Sequence, residues 1–315
     1  MNILRRNNLS ILVLALFSML SITSVQARDY QFIATGLGGN DDYSARFTAA
    51  FDDIVAAFAA STMGGDGNPE TLRTMDAKDV SKEAILSELA DLATSLAETD
   101  TLTVILVGHG TYDGEHYKFN IPGPDLTGQE LKNALAEIKA SRQLVVLATS
   151  ASGVMLKTLE QEGRIVVTAT KSGGEINGVA FPIFWAEALA SDAADIDKNE
   201  IVTADEAFRF AENQVALYYT DEGLLATEHP RLEGENAAGL SLMRIGALRD
   251  SQEDPVVNAL LEDRSELEVE LAVLRAKKSD LPRDEYFDDL EALMLRMATL
   301  QQSIDAATGW VGAGE

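Results

Sequence analysis

The 315-residue chain contains no cysteine. That absence excludes disulfides, thiolate metal sites and any cysteine nucleophile, so in an oxidising compartment the core must hold by packing alone. Cations are scarce as well: 25 Lys and Arg stand against 51 Asp and Glu, a formal net charge of −26. Neutralising phosphates takes clustered cations, and Lys277-Lys278 is the only adjacent lysine pair in the sequence, so no nucleic-acid partner is expected and cations or basic peptides are favoured. Long apolar runs are missing too. The longest, residues 9–22, falls short of the roughly 20 residues of a spanning helix. It follows Arg5 and Arg6 and precedes Val25-Gln26-Ala27, the pattern of a signal peptide cleaved after Ala27. Residues 1–27 are therefore expected to direct export to the periplasm or the medium of a bacterium, leaving no stable membrane span. Without Arg5 and Arg6, 23 basic residues face 51 acidic ones, a net charge of −28.

What is present alternates. Short apolar runs at 30–35, 102–107, 144–148 and 165–169, with weaker ones at 71–75 and 240–245, read as strands. Helix-period segments at 43–60 and 82–97 lie between them, the second with Ser81 as N-cap. Such alternation signals a mostly parallel sheet covered on both faces. Thr127 and Glu130 make a capping box for a helix to about residue 140, and 116–121 reads as a hairpin strand. Gly36, Gly38 and Gly39 follow the first strand, but Asp41 stands where a G-x-G-x-x-G pattern needs its third glycine, and Asp41 and Asp42 would repel a pyrophosphate. A tight strand-to-helix turn is the reading.

From residue 254 the composition shifts to Glu, Leu, Ala, Arg and Met. Val257, Leu260, Leu267, Leu271 and Leu274 recur at helical spacing, as do Phe287, Leu290, Met294, Met297 and Ile304, and Ser279-Asp280-Leu281-Pro282 separates the two runs. A coiled-coil-like helical hairpin is expected over 251–307, with Val257, Leu260, Leu267, Leu290, Met294 and Met297 facing inward. Residues 254–307 are a candidate homo-oligomer interface, and 308–315 form a tail.

Chemistry concentrates at two successive strand ends. Gly108-His109-Gly110 closes one strand and Thr149-Ser150-Ala151-Ser152-Gly153 the next, and in an open parallel sheet adjacent carboxyl ends share one crevice. Taken singly, each is an ordinary turn or N-cap cluster. Together, they place the His109 imidazole an expected 4 to 7 Å, roughly, from the Ser150 hydroxyl. A strand ending in Gly-His-Gly, then a hairpin and helix, then a strand ending in Ser-x-Ser-Gly is similar to the caspase and legumain group of cysteine peptidases, above all its legumain-like branch. The likeness spans residues 30–245, with Glu228-His229-Pro230 in order.

The resemblance implies a caspase-like three-layer α/β sandwich with a mostly parallel six-stranded sheet over residues 28–250. It places His109 at the catalytic histidine, Gly110 at an oxyanion amide and Ser150 at the cysteine nucleophile. Ser152-Gly153 matches the Ser-Gly that follows the nucleophile and would bind substrate, and Lys171, Ser172 and Glu175 are expected to line the same crevice by their position on the sheet edge alone. A serine hydroxyl, unlike a thiol, must be deprotonated during attack, so Ser150 needs an oriented base; Asp113 and Glu115 are the candidates to orient His109. His116 reads as solvated and His229 as organising its loop.

A second constellation, residues 195–206, places Asp195, Asp197, Asn199, Thr203 and Glu206 at calcium-loop positions 1, 3, 5, 9 and 12. Glu200 occupies the position where such loops carry glycine, and an acidic N-cap cluster is the alternative reading. No cofactor is required; calcium is the candidate ion, with Asp195, Asp197, Asn199 and Glu206 as ligands. Three functions remain open: an exported pseudopeptidase that binds a peptide or protein, a slow serine-type hydrolase using Ser150 and His109, and an assembly protein acting through the hairpin.

Overall fold

The structure, a computed structural model, describes residues 27–61, 71–251, 254–279 and 281–309. Apart from Ala27, the expected export signal lies outside these residues. The chain opens with β1 (Asp29–Thr35), α1 (Asp41–Ala60), β2 (Leu72–Met75), α2 (Lys82–Ser95) and β3 (Thr101–Gly108). Next come a small antiparallel sheet of β4 (Gly110–Tyr112), β5 (Tyr117–Phe119) and β6 (Leu126–Thr127), then α3 (Gly128–Ala136), β7 (Arg142–Thr149), α4 (Met155–Leu159) and β8 (Arg164–Thr168). The rest is α5 (Phe181–Ala190), β9 (Ile201–Thr203), α6 (Ala204–Asp221), β10 (Arg231–Glu233), β11 (Ser241–Arg244), α7 (Gly246–Asp250), α8 (Pro255–Ala276) and α9 (Arg283–Thr308).

The main sheet has six strands in the order β2-β1-β3-β7-β8-β10, all parallel except β10. Every residue of β3 is buried, and its run of Val, Ile and Leu suits a central strand covered on both faces. Helices α1, α5 and α6 pack one face through Phe47, Ile54, Phe181 and Trp185, and α2, α3 and α4 pack the other through Leu89, Leu131 and Leu159. The fold class read from the sequence, an α/β sandwich around a six-stranded, mostly parallel sheet, is the one observed. Among the described residues no helix is long and apolar enough to cross a membrane.

Several local expectations are corrected. The sixth strand is Arg231–Glu233, whereas Ser241–Arg244 pairs with β9 in a separate two-stranded sheet. The hairpin strand expected within 116–121 is present as Tyr117–Phe119, paired with β4 and also with β6, whereas α3 stops at Ala136, short of residue 140. On α9 the inward stripe is Tyr286, Leu290, Leu293, Met297 and Ile304, while Phe287 and Met294 are about half exposed. The true stripe keeps to steps of three, four and seven residues, and Phe287 and Met294 lie beside it. Val257, Leu261 and Ile304 anchor the α8–α9 pair on Ile201 and Leu248.

Two buried ionic side chains fasten helix ends. Arg164 donates from Nε to Gln143 Oε1 at 2.9 Å and from its two terminal nitrogens to the Leu159 and Leu135 carbonyls at 3.1 Å each. It thereby caps the carboxyl ends of α3 and α4, and burial lowers its pKa to about 10. Glu228 accepts from the Ala180 and Phe181 amides at the start of α5, at 2.7 and 3.2 Å, and from the Tyr219 hydroxyl at 3.2 Å. Burial pushes the Glu228 carboxyl up to about 7, against the lowering pull of those amides. Its folded-state pKa thus exceeds its unfolded value, so the folded chain keeps a proton that the unfolded chain releases. The resulting stability is full below the ordinary carboxyl range and is lost as pH rises through about 7, a change of up to about 3 kcal/mol. Denaturant unfolding of the protein and of Glu228→Gln is expected to show this slope in the first and not in the second; parallel pH profiles would refute it.

Candidate functional site

The chain passes from β1 to β2 on one side and to β3 on the other, so the carboxyl ends of β1 and β3 flank a point where strand order reverses. Ligand crevices form at such points in open α/β sheets. Gly38 follows β1, His109 follows β3 and Ser150 follows β7, bringing the three together. His109 Nε2 lies 2.9 Å from the Gly38 carbonyl oxygen and Nδ1 lies 3.2 Å from Ser150 Oγ. The second distance is shorter than the 4 to 7 Å, roughly, expected from sequence. A carbonyl oxygen only accepts, so Nε2 carries the hydrogen, and the neutral ring offers its Nδ1 lone pair to the Ser150 hydroxyl. Tyr43 and Phe47, one turn apart on α1, meet the imidazole edge to face with centroids 5.1 Å away. Burial lowers the His109 pKa, opposed by the Gly38 bond, and this favours the neutral form.

Neither Asp113 nor Glu115 orients His109. Asp113 instead accepts from the Glu115 and His116 amides and pairs with Lys118 at 3.2 Å, and those amide bonds hold it down to about 2. It closes the β4–β5 turn. His116 is exposed there. The orienting group that sequence reasoning missed is the Gly38 carbonyl, which no residue type advertises.

Gly110 starts β4 so close to β7 that a Cβ would stand 2.4 Å from the Ser150 carbonyl oxygen and 2.7 Å from the Tyr117 ring. Tyr117 and Thr149 share a 2.6 Å hydrogen bond that ties the small sheet to the end of β7. Ser150 is fully buried, and Ala151 after it is buried in the left-handed region with φ 54°, a conformation uncommon for any residue but glycine. Ser152 Oγ donates to the Thr149 carbonyl at 2.8 Å and lies 3.2 Å from Thr170 Oγ1, and the Gly153 amide donates to that hydroxyl at 3.0 Å. Ser152 and Gly153 thus join the ends of β7 and β8.

Lys171 and Ser172 begin the connection from β8 to α5. The Lys171 amide donates to Glu175 Oε2 at 2.9 Å, and the Lys171 ammonium lies 3.4 Å from Glu175 Oε1. His229 Nδ1 stands 2.5 Å from Glu175 Oε1, with its amide donating to Oε2 at 3.2 Å. Although burial opposes it, Glu175 is held below the usual carboxylate range by the Lys171 amide and His229. Glu175, 54 residues from His229 in sequence, was not legible as its partner.

In the second constellation, carboxylate oxygens of Asp195, Asp197 and Glu206 lie within 4.8 Å of one another. Asn199 Oδ1 accepts from the Ile201 amide at 2.8 Å. Glu206 closes a capping box with Thr203 at the start of α6, so the N-cap reading holds, and the same carboxylate also faces the acidic cluster. Glu200 adopts φ 63°, the turn glycine would give. Burial, then the charges of Glu206 and Asp195, raises the Asp197 pKa, opposed by the charge of Arg264.

No family model and no curated protein matches the sequence. Among solved structures, the chain is similar to protein GSU0716 from Geobacter sulfurreducens at 9% identity and a TM-score of 0.43, over 65% of this chain and 92% of that one. It is also similar to drICE, a caspase, at 13% identity and a TM-score of 0.40, over 66% of this chain and 88% of that one.

Proposed function

We propose that the chain is an exported pseudopeptidase of caspase-like fold that binds a peptide or protein at the carboxyl edge of its sheet without cleaving it. The supporting observation is the state of the nucleophile position: Ser150 is fully buried, and the imidazole beside it is backed by a carbonyl instead of a carboxylate. An imidazolium formed during serine attack would lack the charge that stabilises it in a Ser-His-Asp triad. Leu37, after β1, and Ile176, after β8, are 43% and 67% exposed and offer apolar contacts for a partner. The net charge favours a basic one.

A serine-type hydrolase is the second reading, favoured by the 3.2 Å approach of His109 Nδ1 to Ser150 Oγ with the tautomer already set. Calcium at Asp195, Asp197, Asn199 and Glu206, and self-association through 254–307, are kept as proposals. Exposed Phe287, Met294 and Leu295 support the latter. One preparation tests these readings. Incubated with a fluorophosphonate and a diverse peptide library, with and without calcium, the folded protein is expected to bind peptides, to cleave none and to stay unlabelled. Calcium is expected to raise its unfolding temperature, and light scattering to give a multiple of the monomer mass. Labelling at Ser150 that vanishes in His109→Ala would overturn the pseudopeptidase in favour of the hydrolase.

A further inference from the structure

The connection between β8 and α5 reaches from one side of the Ser150–His109 pair to the other. At its start Thr170 is hydrogen bonded to Ser152 and Gly153, and its backbone passes so near Gly153 that a Cβ there would stand 2.2 Å from Lys171 and Ser172 main-chain atoms. Midway, the Glu175 carbonyl accepts from the Ala151 amide at 2.8 Å, next to Ser150. At its far end Gly178 lies against the Tyr43 ring, where a Cβ would stand 2.2 Å from a ring carbon, and that ring touches the His109 imidazole. Between the Ala151 and Tyr43 contacts lies the Ser–His pair, with Ser150 wholly out of solvent. The tip does not hold itself, since Ile176 and Asn177 are exposed. The middle is held by Gly173, where a Cβ would stand 2.3 Å from the Tyr112 ring, and by the Glu175 carboxylate, bonded to the Lys171 amide on its own segment and to the His229 amide and ring on the segment leading into β10.

We infer that residues 170–178 are a strap that closes the site, and that the Glu175–His229 pair is the latch. Opening requires the Glu175 carbonyl to leave the Ala151 amide. The ligand class that replaces it is an extended peptide whose own carbonyl takes the same amide, with Ile176 swinging away. Closure by this latch concerns access alone, so it holds for a binding module and for a serine hydrolase alike.

The absence of native cysteine supplies the test. Ser150→Cys gives the chain a single thiol at the occluded position, and its alkylation rate with iodoacetamide reads how often the strap opens. Adding Glu175→Ala removes charge-assisted hydrogen bonds from the latch and is expected to raise that rate by about tenfold or more. His229→Ala is expected to act in the same direction and serves if Glu175→Ala does not fold. Ala211→Cys, at a fully buried position on α6, is the control, and its rate is expected to be unmoved by either change. An unaltered rate at Ser150→Cys in a folded Glu175→Ala or His229→Ala background would overturn the latch. So would an equal rise at both thiols, which would assign Glu175 to the fold as a whole. Peptide binding enters neither measurement, so failure of the pseudopeptidase reading leaves this result standing.

Discussion

Gly110→Ala is expected to destabilise the fold by about 2 to 4 kcal/mol and to part Ser150 from His109. The added methyl would meet the Ser150 carbonyl oxygen at 2.4 Å and the Tyr117 hydroxyl at 2.9 Å. The first neighbour is main chain and cannot rotate aside. Relief must come from the small β4–β5–β6 sheet moving off β7, which stretches the Tyr117–Thr149 bond. Denaturant unfolding gives the cost, and the imidazole nitrogen chemical shifts report whether Nδ1 still accepts from Ser150. A variant as stable as the parent with unchanged His109 shifts would show that the approach is looser than described.

The second large effect concerns Arg164. Arg164→Met keeps much of the volume but removes donors to the Leu135 and Leu159 carbonyls and to Gln143. The Leu159 carbonyl and the buried Gln143 amide oxygen then lose that donor, while the Leu135 carbonyl keeps the Ile138 amide at 3.4 Å, and the expected cost is about 3 kcal/mol. A guanidinium without a carboxylate beside it invites the opposite expectation, since exchanging a buried ion for an apolar chain is often harmless. That exchange is harmless when the partners leave with the ion, and here they stay. The midpoint of urea unfolding decides, and a shift worth under about 1 kcal/mol would mean that water or α3 itself satisfies the freed carbonyls.

Legibility in the sequence followed how local each cause is. Strands β3 and β7 are read from apolar runs, and the Thr127–Glu130 box from two residues three apart; all are stated within a few neighbouring positions. β10 is Arg-Leu-Glu with one apolar residue, too short to show any period. Residues 240–245 could be recognised as extended, but not that β9 would be their partner, because pairing is decided by the assembled structure. His109 and Ser150 stood out because each closes an apolar strand. Gly38 did not, since its contribution is a carbonyl that every residue owns, and the 170–178 strap has neither helical nor strand periodicity. Burial of Ser150 was likewise invisible, since its neighbours His109 and Gly110 stand some forty residues upstream and the segment bonded to the Ala151 amide some twenty downstream.

The two margins of the main sheet bear on how this acidic chain avoids edge-to-edge stacking of its sheets. A long flat margin offers unpaired backbone groups to any passing strand. β2 has four residues, with Arg73 and Thr74 exposed and Arg73 3.5 Å from Glu88. β10 has three, with Arg231 and Glu233 exposed, and runs against the direction of the strands inside it. Each margin is thus short and charged, a poor template for stacking one molecule on another. With no disulfide to restrain a partly opened chain, resistance to aggregation rests on these two short strands and on the mutual repulsion of a net charge of −26.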